Sequence, residues 1–538
     1  MPVGRDHFIS RLFVPGRVMA MAGCLAGLLL AQGCANSPVL LNEAQRATID
    51  RRIIEYPDGY ELKPYMIHLD TPTGFCFDES KNMIVAEGGI DGADPHIFVI
   101  RPDGYQFDIY PIETNIPVFR PRFRIYGPVG GIVARGGKIY VSHRDVHDMG
   151  AITAFDYNGD YKTIVAGLPA QGDFSVTDLA IPQPPGEQRL YFGVGSVTNS
   201  GVVGLDNWQE GWVRDHPKAC DLAYQALFLL GFRFDALNPQ SSLFSPNSLV
   251  TVPFEPFGTS DVIQIPAVDF PVQMPSGAIF SVALDGGDLK VEAWGVHDPV
   301  GIAIDPNYST VYFTDRGMEL RGTRPIDNDP DALYALNIRG SNWGWPDYAR
   351  NGDSVAMPQY QPPKSMVIPT GYPNVQFVID HELSKMTPPD KDSTRALFAW
   401  QSGAAKFDFF PQAGPFHTSR FEGQALVALW GDRAPFSTSG RPMHDPLPGR
   451  RIARVDLNSQ SKQAVDFIYN VQGGPTSQSN VGRGQGLERP IDVKFGPDGN
   501  LYILDFGVAM MKDGHLKVDR RTGKILICVP AVHNSIIH

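Results

Sequence analysis

Two indoles flank a glycine at Asn342-Trp343-Gly344-Trp345-Pro346. Such a segment can wall a planar ligand, because glycine lets the backbone approach a ring face. The same residues also read as a Trp-anchored turn packed between sheets. His143-Arg144-Asp145-Val146-His147-Asp148 sets two imidazoles beside two carboxylates. That set can bind a divalent metal or run acid–base chemistry, or it can be a solvated loop with internal ion pairs. Asp327-Asn328-Asp329-Pro330-Asp331 lacks the glycine and distal glutamate of an EF-hand loop. With Asp315 and Glu319 it offers either an irregular oxygen site for Ca²⁺ or an Asx-type turn. Arg433, Arg441, Arg450, Arg451 and Arg454 lie close together in sequence. Of these, Arg433 stands at a strand exit, where a guanidinium can clamp a carboxylate bidentately. There is no Ser-His-Asp signature, P-loop or dinucleotide fingerprint in a strand-to-helix setting.

Such loops need a scaffold, and the chain supplies one by repetition. A short apolar strand, a tight polar turn and a second apolar strand recur at Gly74–Gly89, Gly130–Asp145, Asp178–Ser196, Gly301–Gly317, Lys406–Arg433 and Asp492–Gly507. That spacing predicts an all-β fold, a six-bladed β-propeller whose loops converge on a central channel. The propeller is expected over 61–530, with insertions at about 205–275 and 347–400, and 531–538 as a tail. The first insertion, between the third and fourth blades, is expected to be partly helical at Lys218–Leu230, stopped by Gly231. Asn42–Tyr56 reads as a short helix in a linker over 34–60, and Gly523–Val529 as the strand that pairs with the first blade and closes the ring.

Lys and Arg number 46 against 58 Asp and Glu, a formal net charge of −12, which argues against binding a nucleic-acid backbone. Gly 55 and Pro 46 supply the turns that many short strands need. Arg5, Arg11 and Arg17 precede the apolar run Val18–Ala31, which is too short to span a bilayer and reads as an export signal over 1–33. It ends in Leu30-Ala31-Gln32-Gly33-Cys34, similar to a bacterial lipoprotein signal in which Cys34 is lipidated; cleavage of an ordinary secretory signal nearby is the alternative. Either way the chain is expected to be exported; with Cys34 lipidated it is anchored to the bacterial cell envelope, and the lipid is its membrane contact. Cys76, Cys220 and Cys528 remain in the body, so at most one disulfide is expected.

The ordered motifs resemble the glucose/sorbosone dehydrogenase family, soluble six-bladed propellers that use pyrroloquinoline quinone and calcium. Gly167-Leu168-Pro169, the segment Gly295–Gly301 (GVHDPVG), the stretch from Asp315 to NWGWP, Phe421–Arg433 and Arg489–Asp505 carry the resemblance over most of 61–530. It implies an oxidoreductase acting on a sugar or other alcohol, passing electrons to an external acceptor. The resemblance aligns Phe174 with the family's catalytic histidine, and a phenyl ring cannot act as a base. It places His297 where the family has an arginine and Asp298 where it has an asparagine. On this reading His297, or the His143–His147 loop, takes over proton abstraction. Arg433, Trp343, Trp345 and Asp298 contact the quinone, and Asp315 and Asp331 help to hold Ca²⁺. The alternative is a propeller without redox chemistry that binds a carbohydrate, another small ligand or a protein partner.

Overall fold

Each strand–turn–strand repeat forms the inner half of a four-stranded antiparallel sheet. The computed structural model describes residues 38–111, 124–183, 188–241, 247–260, 264–265, 274–443 and 447–531. The signal segment and Cys34 lie outside the described residues. The first blade comprises Pro72–Phe77, Met83–Glu87, His96–Ile100 and Gln106–Tyr110. The second runs from Tyr126–Arg135 to Tyr161–Leu168, and the third from Val176–Ala180 to Lys290–Trp294. The fourth runs from Ile302–Ile304 to Thr394–Phe398, and the fifth from Ala404–Phe409 to Ala464–Asn470. The six inner strands touch in order, and Pro490–Phe495 of the last touches Pro72–Phe77 of the first, so the ring is closed.

Why these segments are strands follows from what covers them. Middle strands such as Met83–Glu87, Arg189–Val194 and Val311–Asp315 are buried at every residue, because a neighbouring blade covers each face. The outer strand Tyr161–Leu168 is exposed at five of its eight positions. Each blade-to-blade interface holds its own apolar cluster; between the second and third, Tyr140, Ile152 and Ala154 join Phe192 and Phe280 of the third blade, whose rings stack at 5.2 Å. Burying one such side chain stabilises the fold by about 1.5–3 kcal/mol. Charged side chains fill the channel centre. Lys406 Nζ lies 3.3 Å from the Asp178 carboxylate without a well-directed hydrogen bond, and Asp492 accepts from Phe75 N–H at 3.3 Å.

Three expectations about elements change. Gly523–Pro530 does not pair with the first blade; it is the third strand of the sixth, between Leu501–Asp505 and Tyr60–Leu69. Ring closure therefore falls to the N-terminal strand Tyr60–Leu69. The stretch 34–60 contributes strands rather than a helix: Val39–Leu40 joins the sixth blade and Ile54–Glu55 the fifth, with one 3₁₀ turn at Glu43–Gln45. Lys218–Leu230 is extended or irregular, and the helices of the insertion lie earlier, at α1 (Leu205–Glu210) and α2 (Trp212–Asp215). The cause is Asp221, whose buried carboxylate accepts from Val197 N, Thr198 Oγ1 and Ser276 Oγ, while Leu227 and Leu229 alternate inward. Both insertions share one apolar core, with Leu227, Leu229 and Phe254 of the first against Tyr360, Val375 and Ile379 of the second. Together they form a cap on one rim. Cys76, Cys220 and Cys528 are free thiols, the first and last buried.

Candidate functional site

At the exit of strand Val311–Asp315, the chain turns over the mouth of the channel as Arg316-Gly317-Met318-Glu319. Three aspartates brace that turn. Asp315 accepts from the backbone N–H groups of His297 (3.0 Å) and Asp298 (2.8 Å) and from Arg350 Nη1 (2.9 Å). Asp329 accepts from Met318 N and Arg350 N. Asp331 accepts from Gly317 N at 2.9 Å and from Ala404 N of the fifth blade at 2.8 Å. Gly317 is required because a Cβ there would meet Asp329 O at 2.2 Å.

The braces aim His297 into a small compartment. Its walls include Phe174, His297, Asp298, Glu319, Asp331 and Arg433. His297 is 1% exposed and hydrogen-bonded through Nδ1 to the Arg316 carbonyl at 2.9 Å. A carbonyl only accepts, so Nδ1 carries the proton and Nε2 the lone pair. Nε2 is buried without a hydrogen-bond partner. Burial, and then the Arg350 charge, push the ring's pKa down to about 3, so the imidazole is neutral. Burial pushes Asp298 up to about 6 against the pull of Arg316 and Arg433; it pushes Asp331 up to about 6 against its backbone donors.

Above His297 lies a layer of buried ion pairs. The Arg433 fork meets Glu319 through Nε (2.9 Å) and Nη2 (2.7 Å). Arg321 reaches Glu319, Asp206 and Asp173, the last at 2.7 Å. Burial would raise the Glu319 pKa, but Arg433 and Arg321 outweigh it and hold the carboxyl well below its usual range. Burial, and then the neighbouring Asp173 charge, push Glu210 well above its usual range. Phe174 carries Arg433 on its ring at 5.6 Å and meets the His297 ring edge-on at 4.7 Å. Beyond this layer, on the solvent side, a cleft of about 520 Å³ opens beneath the cap, with Asp206 and Arg321 in its wall.

The structure thus brings together six of the side chains singled out from sequence: Phe174, His297, Asp298, Glu319, Asp331 and Arg433. Trp343 and Trp345 are corrections. Trp343 packs against Phe313 (5.0 Å) and Tyr334 (4.9 Å) between blades, and Trp345 donates to Asn199 O and meets Phe254 edge-on. Neither lines the compartment, so the Trp-anchored turn is the reading that holds. Asp315 and Asp331 are a second correction: their oxygens accept backbone N–H groups and Arg350 instead of converging on a cation. No group of three or more metal-ligating side chains is found among the described residues. His143 is also buried elsewhere, bonded to Arg144 O and Thr153 Oγ1, and Arg441 is tied to Asp327 by two bonds of 2.6 Å. Sequence reasoning missed Arg321 and Asp206 and read Glu319 as an oxygen ligand. The available signal was the alternation Glu319-Leu320-Arg321-Gly322-Thr323-Arg324 just past a strand exit.

Pyrroloquinoline quinone, implied by the sequence resemblance, does not fit this compartment. Its volume is about 20 Å³, room for roughly one water, whereas small-molecule sites span about 300–1,000 Å³. The cations a tricarboxylate would need are already paired, Arg433 with Glu319 and Arg316 with Asp298 at 3.4 Å.

No family model and no curated protein matches the sequence. Among solved structures, the chain is similar to the family AA12 carbohydrate-active enzyme of Trichoderma reesei. Its iodide structure is 14% identical, over 91% of this chain and 100% of that one, with a TM-score of 0.50. The calcium structure of that enzyme gives 13%, 91% and 99%, again at 0.50. The holo pyranose dehydrogenase PQQ domain from Coprinopsis cinerea gives 14%, 89% and 97% at 0.49. At such identity the likeness shows the fold alone, a six-bladed β-propeller.

Proposed function

We propose that this chain is a sugar- or polyol-directed oxidoreductase of the propeller type, with His297 as the group that accepts the proton of the reacting hydroxyl. The observation that carries this reading is the unpartnered Nε2 of a neutral, buried imidazole in a compartment at the channel mouth. A lone pair held there can accept from a hydroxyl. A pKa of about 3 makes His297 a weak base while the ring is held out of water beside the Arg350 charge. Oxidation also needs an acceptor for two electrons. Since the quinone does not fit the compartment, this reading requires an external acceptor that takes the carbon-bound hydrogen as hydride, with its two electrons, while His297 takes the hydroxyl proton.

A second reading, a sugar-binding propeller without turnover, is favoured by the same closure and by Phe174 in place of a base. One experiment separates the two. The purified mature chain is titrated with a panel of neutral and amino sugars by calorimetry. It is then assayed for dye reduction with and without pyrroloquinoline quinone and Ca²⁺. Turnover lost in His297→Ala supports the first reading, binding without turnover supports the second, and no response to any sugar rejects both. Export and lipidation at Cys34 are part of the proposal, supported by the basic, apolar and Leu30–Cys34 pattern. Labelled fatty acid should enter the protein and be lost in Cys34→Ser.

A further inference from the structure

The cleft under the cap is more acidic than a site for neutral sugars needs to be. Its wall carries the carboxylates of Asp206, Asp235 and Asp513 against one guanidinium, Arg321. That guanidinium is already committed to Asp173, Asp206 and Glu319. Asp235, on strand Phe234–Leu237 of the first insertion, and Asp513, in the hairpin tip after Ala509–Lys512, are exposed and make no ion pair among the described residues. Asp206 is the second, independent sign of a ligand. It is only 7% exposed, yet its Oδ1 has no hydrogen-bond partner, while its Oδ2 holds Arg321. An unsatisfied carboxylate oxygen at the wall of a cleft is a costly arrangement unless a donor fills it.

We propose that this cleft binds a small hydroxylated molecule carrying a primary ammonium group, an amino sugar or amino alcohol, through Asp206, Asp235 and Asp513. The inference names a ligand class for the sugar or polyol reading of the channel mouth and rests on it. Ammonium offers three donors and a charge that complement the carboxylates of Asp235 and Asp513 and the one free oxygen of Asp206. Gln209 and Thr323 in the same wall are polar partners for hydroxyl groups, and Phe436 offers an apolar side. Segments of the cap, of the fourth and fifth blades and of the last blade's hairpin all meet here. The cleft therefore exists only in the closed, capped ring.

The test is calorimetric titration of the full mature chain, near neutral pH and at low salt, with glucosamine, N-acetylglucosamine, glucose and spermidine. Glucosamine should bind about tenfold or more tightly than either neutral sugar, as expected for a charge-assisted bond in a partly desolvated site. That preference should vanish in the Asp235→Asn/Asp513→Asn double variant, whose unfolding temperature should stay at the parent value because both side chains are exposed. Equal affinity for glucosamine and glucose overturns the ammonium assignment while leaving the sugar reading intact. Binding of no sugar at all overturns both. A preference that survives in the double variant overturns the placement in this cleft, and spermidine binding as tightly as glucosamine overturns the polyol part of the ligand class.

Discussion

His297 can take a proton through one nitrogen only, because the other is committed to the Arg316 carbonyl. That asymmetry has a consequence for stability. In an unfolded chain the imidazole titrates near ~6.5. In the folded chain burial and Arg350 push it down to about 3. Between those values the unfolded state binds the extra proton, so stability is fully present above the unfolded pKa and falls as pH drops below it. The slope reaches about 1.4 kcal/mol per pH unit for one such group. Asp298 and Asp331, raised to about 6, act in the opposite sense, but they are present in any His297 variant. His297→Gln, which does not titrate, should therefore lose less stability than the parent between about pH 7.5 and 5 in urea unfolding. Parallel profiles would mean that the ring is not buried in its neutral form. Glu319 is the other decisive side chain, since it neutralises both Arg433 and Arg321. Glu319→Gln should destabilise the fold by about 3–5 kcal/mol, the range for breaking a buried pair, read from chemical denaturation. Motif order singled out His297, Asp298 and Arg433, which the structure places around one compartment. It could not show that Arg433 is matched by Glu319, because ion pairing across 114 residues leaves no local pattern.

At the scale of elements, the inner strands decide how closely six blades approach one axis. Gly131 in strand Tyr126–Arg135 and Gly301 just before Ile302–Ile304 face the next blade directly. A Cβ at Gly131 would meet Asp178 Cα at 2.7 Å, and one at Gly301 would meet Ala405 O at 2.5 Å. Both partners are backbone, which cannot rotate aside. Gly131→Ala and Gly301→Ala should each cost about 1–3 kcal/mol as overpacking, measured as a lower denaturant midpoint at unchanged slope. Gly136, with open space around its Cβ position but a φ of +61°, should respond through backbone strain only, by about 1 kcal/mol. Strand pairs were legible in the sequence because each repeat carries its own alternation and turn. The insertion was not, because the Lys218–Leu230 composition suits a helix, and what overrides it is the Asp221 carboxylate bonded to residues 24 and 55 positions away. Tertiary partners outvote local propensity wherever a buried acid has to be satisfied.

The whole molecule is held shut by its first and last strands. Leu62 opposes Cys528 and Leu69 opposes Gly523 in the sixth blade, so strands from the two ends of the described chain form one ladder. Leu62, Met66, Leu69, Leu526 and Cys528 are fully buried there. The sequence placed closure at the right end of the chain but chose the wrong partner, because a strand that pairs with either neighbour has the same apolar pattern. Without Tyr60–Leu69, the Gly523–Pro530 strand becomes an unpaired edge and the fifth and sixth blades lose the packing of Ile49, Ile53, Ile54 and Tyr56. The cap and the acidic cleft depend on that closure, since Met511 and Asp513 of the last blade's hairpin must meet Asp206 of the insertion. A variant beginning at Pro38 should therefore unfold at the same temperature as the full mature chain. One beginning at Thr71 should fail to reach a monomeric folded state in size-exclusion chromatography and circular dichroism. Recovery of native spectra when a peptide spanning residues 38–70 is added back would locate the defect in the missing strand. A folded monomer beginning at Thr71 would show that the ring closes by another route.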